Sequence, residues 1–180
     1  MSASPERRSL VGPVLVSLGF VLFVGPGPLI VLVPWLLSGW ELHEPLLGWS
    51  WLRGLGIALI VVGVPVLAES IVRFVWKGRG TLTPAVPTQH LVISGLYRFV
   101  RNPMYLGVVT IIVGEALLLG SGDVLIYAAV VALGFHLFVV LYEEPTLRRT
   151  HGSEYDGYCK QVRRWIPRFI PVQPSTGTDT

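Results

Sequence analysis

Two segments carry side chains able to hold a charged ligand within an otherwise apolar sequence. The first is TPAVPTQHLVISGLYRFVRNPMY, Thr83 to Tyr105. Its small residues let backbone amides approach a ligand closely. Asn102 and Pro103 are the residue types that begin a helix, as N-cap and first-turn proline. A helix beginning there presents unpaired N–H groups that suit a carboxylate or phosphate. A purely anchoring role fits the same residues: Arg98 and Arg101 to lipid headgroups, Tyr97 and Tyr105 to an interfacial aromatic belt.

The second segment is LYEEPTLRRTHGSEYDGYCKQVRRWIPR, Leu141 to Arg168. Glu143 and Glu144 come at the end of an apolar block, where the macrodipole of a helix disfavours negative charge. They could hold a cation, cap the next helix, or pair with Arg148, four residues beyond Glu144. His136 stands seven residues before Glu143, a spacing that puts both on one face of a regular helix. An ionisable residue inside a membrane segment marks a functional cleft or a hydrogen bond between helices. Glu69 has Arg73 four residues on, an ion-pair spacing, and Glu115 lies deeper in its apolar block. The lone cysteine, Cys159, reads as a surface thiol, excludes an internal disulfide and cannot make a zinc site by itself. No metal is expected.

These residues have to be positioned by elements suited to lipid. Of the 180 residues 52% are hydrophobic and 14% charged, with a mean hydropathy of +0.62, too apolar for a soluble domain of this size. The net charge of +3 is small and the basic residues are scattered, which excludes a nucleic-acid footprint. Four apolar blocks approach or exceed the roughly 20 residues that cross a bilayer as helix. They run from about Leu10 to Leu37, Leu55 to Trp76, Met104 to Leu119, and Val124 to Tyr142. The expected fold is an all-α, polytopic membrane bundle of about four transmembrane helices with a cytoplasmic C-terminal helix. One membrane domain would span residues 1–170, with a disordered tail at 171–180. The first block reads as a retained anchor rather than a cleaved signal, and its GPGP, Gly25 to Pro28, predicts a kink. GSGD, Gly120 to Asp123, predicts a tight turn that makes the last two blocks antiparallel neighbours. A polar helix is expected from Tyr142 to Trp165.

Lysine and arginine cluster before the first block, between the second and third, and after the fourth, leaving only Arg53 in the other connections. By the positive-inside rule both termini and the long loop of residues 77–101 are cytoplasmic, in a bacterial-type plasma membrane.

The ordered set, LVISGLYRFVRNPMY, a helical hairpin, then EEPTLRRTHGSEYDGYCKQVRRWIPR, resembles the C-terminal half of the isoprenylcysteine carboxyl methyltransferase and phospholipid methyltransferase superfamily. The likeness covers about residues 80–168. It implies an integral membrane enzyme that uses S-adenosylmethionine, with membrane lipids around it and a hydrophobic acceptor: a lipid amine, a thiol or a carboxylate. It implies cofactor contacts from Gln89, His90, Leu91 and Val92, from Tyr97, from Asn102, Pro103 and Tyr105, and from Glu143. His136 or Glu144 would serve as base for an acceptor that must lose a proton. Asn102 stands where many relatives have histidine and cannot titrate near neutrality. Val139 stands where the prenylcysteine branch carries a substrate-gripping arginine. A scaffold or sensor that keeps the fold without turnover is the other reading. A small transporter fits less well, because GPGP has no counterpart in the later blocks.

Overall fold

The computed structural model describes residues 25–77 and 93–172. All its regular elements are helical. A π turn, Pro28–Leu32, runs into α1, Val33–Ser38; α2 is Trp51–Lys77; α3 is Pro103–Leu119; α4 is Gly122–Phe138; and α5 is Glu144–Gln161. A second π turn, Val139–Glu143, joins α4 to α5, and a 3₁₀ turn, Gly95–Arg98, precedes α3.

The expected irregularity at GPGP takes a definite form. Pro34 has no N–H to return to the preceding turn, and its ring crowds the carbonyl four residues back. The ladder opens accordingly: the Val33 N–H reaches Pro28 O, five residues back. Most of the first apolar block lies outside the described residues. Gly39, with φ 61°, closes α1.

Helices α2 and α3 pack antiparallel along a seam of glycines. A Cβ on Gly56 would stand 2.6 Å from Gly114 O, and one on Gly114 would stand 2.8 Å from Gly56 O. One heptad along, a Cβ on Gly63 would stand 3.2 Å from Gly107 O, while one on Gly107 would meet the Leu67 backbone N at 3.0 Å. The two backbones therefore touch where no side chain intervenes, the packing used where lipid offers no hydrophobic drive between helices. Leu67, Val108, Ile111, Ile112 and Ala116 fill the core on either side of the seam, and Val124, Ala128 and Val131 extend it onto α4.

The turn at Gly120 to Asp123 reverses the chain as expected. Gly120 adopts the left-handed conformation, φ 72°, and Ser121 Oγ accepts the Val124 N–H at 3.3 Å to cap α4. Two stretches are long and apolar enough to cross a membrane, Trp51–Arg73 and Gly122–Gln161, the second owing its apolar character to α4 and the π turn. Only 22% of each apolar window is buried, so most of its side chains face outward. Helix α1 with its π turn and helix α3 are shorter apolar elements; the 17 residues of α3 rise roughly 26 Å.

Helix α5 is shorter than the sequence predicts and is broken. Gly152, at φ 52° and ψ −127°, takes a conformation essentially restricted to glycine, and the helix stops at Gln161, with Val162 extended. The break lets the second half fold back: Tyr155, Tyr158 and Val162 are buried against Ile93, Leu147 and Val172.

Candidate functional site

The fold brings the segment around residues 93–105 against the end of α4, the start of α5 and the irregular stretch after α5. Tyr158 Oη donates to Tyr97 O at 2.6 Å, and the Arg101 N–H donates to Arg163 O at 3.0 Å. Gly95, φ 56°, faces the Glu69–Arg73 ion pair so closely that a side chain there would collide with it. The 3₁₀ turn is thus fixed to α2 on one side and to α5 on the other.

Tyr105 links the two halves of the sequence directly. Its hydroxyl donates to Glu143 Oε2 at 3.0 Å, and its ring stacks on Phe135 with centroids 4.5 Å apart. Phe135 and Glu143 are eight residues apart, one more than the spacing that would align them on a regular α-helix. The π turn absorbs the extra residue: the Glu144 N–H bonds to Val139 O, five residues back. The one-face relation drawn from the seven-residue spacing of His136 and Glu143 is therefore shifted by roughly 100°, and Phe135 rather than His136 shares the Tyr105-facing side with Glu143.

His136 turns to a different partner. Trp165 Nε1 donates to its Nδ1 at 3.1 Å. With Nδ1 accepting, the neutral ring carries its proton on Nε2. Tyr105, Val109, Ala132, Phe135, His136 and Trp165 line an almost wholly apolar cleft of ≈ 280 Å³.

Tyr97 lies within electrostatic reach of Glu143. Burial, reinforced by the Glu143 carboxylate, pushes its phenol up, so it remains a protonated donor at neutral pH. Pro103 is buried at the start of α3. Asn102 occupies the N-cap position, but its side chain does not cap; Nδ2 donates to Arg164 O at 3.2 Å. The first-turn amides of α3 consequently receive nothing from Asn102. Gln89, His90, Leu91 and Val92 lie outside the described residues.

Glu144 is 3% exposed and held by guanidinium groups. Arg164 makes two bonds to it, Nε–Oε1 at 2.6 Å and Nη2–Oε2 at 3.0 Å; Arg101 Nη1 stands 3.2 Å away and Arg148 Nη2 3.7 Å. The pairing with Arg148 expected from spacing is present but is the longest of the three. Sequence reasoning missed Arg164, because the chain must first break at Gly152 before the arginine can return to Glu144. Cys159 is not the surface thiol expected: it is half-buried and accepts from Arg101 Nη1 at 2.7 Å.

Several buried polar atoms near this region have no partner among the described residues: Ser94 Oγ, Arg101 Nε and Glu69 Oε2. Buried polar groups are normally hydrogen-bonded, so orphans gathered around one turn fit a polar ligand there. A cationic sulfonium donor bearing an ammonium and a carboxylate matches this set: carboxylates at Glu143 and Glu69, open amides at the start of α3, and an apolar cleft alongside. Among the described residues no group of three or more His, Cys, Asp and Glu is arranged to hold a metal ion.

No solved structure matches the chain significantly. Protein-S-isoprenylcysteine O-methyltransferase B of Arabidopsis thaliana is 27% identical over 119 residues, covering 65% of this chain and 60% of the relative. Protein-S-isoprenylcysteine O-methyltransferase A of the same plant is 28% identical over 122 residues, with the same coverage. A probable protein-S-isoprenylcysteine O-methyltransferase of Oryza sativa subsp. indica is 26% identical over 113 residues, 62% of this chain and 59% of the relative. The chain thus matches about three-fifths of the length of these relatives. Residues 51–154, from α2 through the break in α5, match the family model described as phospholipid methyltransferase, and the chain belongs to that family.

Proposed function

We propose that this protein is an integral membrane methyltransferase that uses S-adenosylmethionine and modifies a hydrophobic or lipid-like acceptor. The observation that carries the reading is the Tyr105–Glu143 hydrogen bond, which joins segments 38 residues apart through a tyrosine that also lines an apolar cleft. Family membership and the two long apolar helices, exposed over most of their surface, support a membrane setting. The distribution of arginine and lysine along the sequence supports a cytoplasmic site by the positive-inside rule.

S-adenosylmethionine, when bound, supplies a methyl group on a positively charged sulfur. Glu143, Tyr97, Asn102, Pro103 and Tyr105, with Gln89, His90, Leu91 and Val92 from the preceding loop, are the residues assigned to hold it. Glu143 faces the cationic part, with Tyr105 fixing its carboxylate. The Tyr97 hydroxyl stays protonated and can donate. The first turn of α3 suits the donor's carboxylate. The cleft beside Tyr105 is lined almost wholly by apolar groups and suits apolar matter, so an acceptor can be held in line with the donor.

The geometry separates the two candidate bases. Glu144 is engaged by three guanidinium groups and serves better as the brace that holds Arg101 and Arg164 together. His136, with Nδ1 already accepting from Trp165, offers an N–H rather than a lone pair to the cleft. An acceptor that needs no deprotonation, such as a carboxylate or an unprotonated amine, fits this site best. Val139, in place of a gripping arginine, leaves the prenylcysteine carboxylate without an assigned partner.

The test has two parts. Calorimetry with S-adenosylhomocysteine is expected to show binding to the purified protein, and Glu143→Ala and Tyr97→Ala are each expected to weaken it at least about ten-fold, the loss of one charge-assisted hydrogen bond. Labelled S-adenosylmethionine supplied to membranes holding the protein is expected to mark a lipid-soluble product. Unchanged affinity in both variants rejects the pocket, and binding without any labelled product favours a sensor over an enzyme.

A further inference from the structure

The stretch KQVRRWIPRFIPV, Lys160 to Val172, carries four basic residues and no acidic one. Arg164 is neutralised by Glu144, which leaves Lys160, Arg163 and Arg168. The same stretch exposes Ile166 at 61%, Ile170 at 73% and Phe169 completely. Leaving three large apolar side chains in water is unfavourable relative to burial, yet among the described residues nothing covers them. The six side chains line one open concavity of ≈ 820 Å³.

The position of this stretch identifies what covers it. Trp165 donates to His136, seven residues before Glu143 in the chain. At 1.5 Å per residue that contact lies roughly 10 Å back along the helix from the carboxylate, toward the apolar part of α4. The helix surface at this level exposes Leu133 and Leu137. Having left the polar second half of α5, the chain returns to the depth at which α4 is clothed in apolar side chains. It is held there by backbone bonds from Arg101 N to Arg163 O, Arg168 N to Phe99 O and Val172 N to Arg98 O.

We infer that residues 160–170 form an interfacial membrane anchor: Ile166, Phe169 and Ile170 immerse in the acyl boundary while Lys160, Arg163 and Arg168 hold anionic lipid headgroups. The combination of an apolar set with a basic rim, and a tryptophan beside it, is that of a segment lying in the interface plane. Anionic lipid is the occupant because the charges on this stretch that lack an acidic partner are all positive: Lys160 and Arg163 are exposed, and Arg168 is half-buried with Nη1 donating to Gln161 O. Long basic side chains can keep their heads at headgroup level above an apolar floor. The anchor is independent of methyl transfer and holds whether or not the site turns over.

The test uses the full chain with Cys159→Ser, spin-labelled at Phe169→Cys or, as a second site, Ile170→Cys, and reconstituted in phosphatidylcholine discs with and without phosphatidylglycerol. Power saturation is expected to show both labels more accessible to oxygen than to a water-soluble relaxation agent. A label at Glu154→Cys, on the exposed polar helix, is expected to show the reverse. Added phosphatidylglycerol is expected to deepen the 169 label, and Arg163→Gln with Arg168→Gln to weaken that lipid preference about five-fold per charge removed. A 169 label that behaves like the 154 label overturns the anchor. So does one shielded from both agents, which would mean that protein covers it. Equal immersion with and without phosphatidylglycerol overturns the anionic preference.

Discussion

Glu144→Gln tests whether the carboxylate is the brace assigned to it. The substitution keeps volume and removes one negative charge from a group 3% exposed. Two strong bonds from Arg164 and one contact from Arg101 lose their ionic partner, while the Arg148 contact at 3.7 Å, half exposed, is worth at most about 1 kcal/mol. Breaking a buried pair by removing one partner costs about 3–5 kcal/mol, because the other charge is left without compensation. The Arg164 side chain is 30% exposed and recovers some hydration, whereas Arg101 is 11% exposed and recovers little. The expected loss is therefore near the lower end, about 3 kcal/mol, on the order of 100-fold in the folded-to-unfolded ratio.

The assay is a double-mutant cycle of Glu144→Gln, Arg164→Gln and the pair, unfolded thermally in one detergent. Glu144→Gln is expected to be the most destabilising single change. The pair is expected to lose less than the sum by more than about 1 kcal/mol, since Glu144→Gln strands the Arg164 charge and Arg164→Gln takes from Glu144 its closest partner, whereas the double variant carries neither charge. Additive losses, or Glu144→Gln within about 0.5 kcal/mol of the parent, would show that Arg101 and Arg164 hold the α5 return without the carboxylate, and the brace would have to be abandoned.

Two helical glycines of the same type are expected to respond oppositely. Gly114→Ala puts a methyl 2.8 Å from Gly56 O and should destabilise by about 1–3 kcal/mol. Gly134→Ala meets nothing within 4 Å and should stabilise by up to about 1 kcal/mol; a melt in which both shift the same way contradicts the glycine seam. Tyr105→Phe keeps the stack on Phe135 and removes the bond to Glu143, so S-adenosylhomocysteine affinity should fall about ten-fold with little change in melting temperature. Deleting Leu141, exposed in the π turn, should return that turn to α-helix and leave Glu143 facing Tyr105, whereas deleting Val130, also exposed but in regular helix, should rotate one part of α4 against the other. Equal loss of calorimetric binding in the two deletions would remove the register argument.

What was legible in the sequence is what depends on neighbours in the chain. The second, third and fourth apolar blocks, the Gly120 turn, the helix beginning at Pro103 and the Glu69–Arg73 pair follow from composition, turn chemistry and four-residue spacing, and each is present among the described residues. Helix α4 begins two residues before the apolar block suggests, because Ser121 caps it. Features that depend on a single backbone exception were not legible. No pattern announces that Gly152 breaks α5, so the sequence alone predicts a helix to Trp165, four residues past Gln161, and gives Arg164 no partner. The side chain of Asn102 was expected to satisfy its own helix start, yet a backbone carbonyl from that returning segment competes for it and wins.

The π turn is where the site and the fold meet. A regular helix from His136 onward would have aligned a histidine, a good base, with Glu143. The extra residue between Val139 and Glu143 instead aligns Phe135, and the tyrosine stacked on that phenylalanine delivers its hydroxyl to the carboxylate. The exchange moves the histidine away from Glu143 and into the hydrogen bond with Trp165. A site that only has to hold a cationic donor beside an apolar acceptor gains from this arrangement: the carboxylate is fixed by a neutral donor that leaves its charge intact. The imidazole, displaced from that role, ties the interfacial segment to the membrane helix.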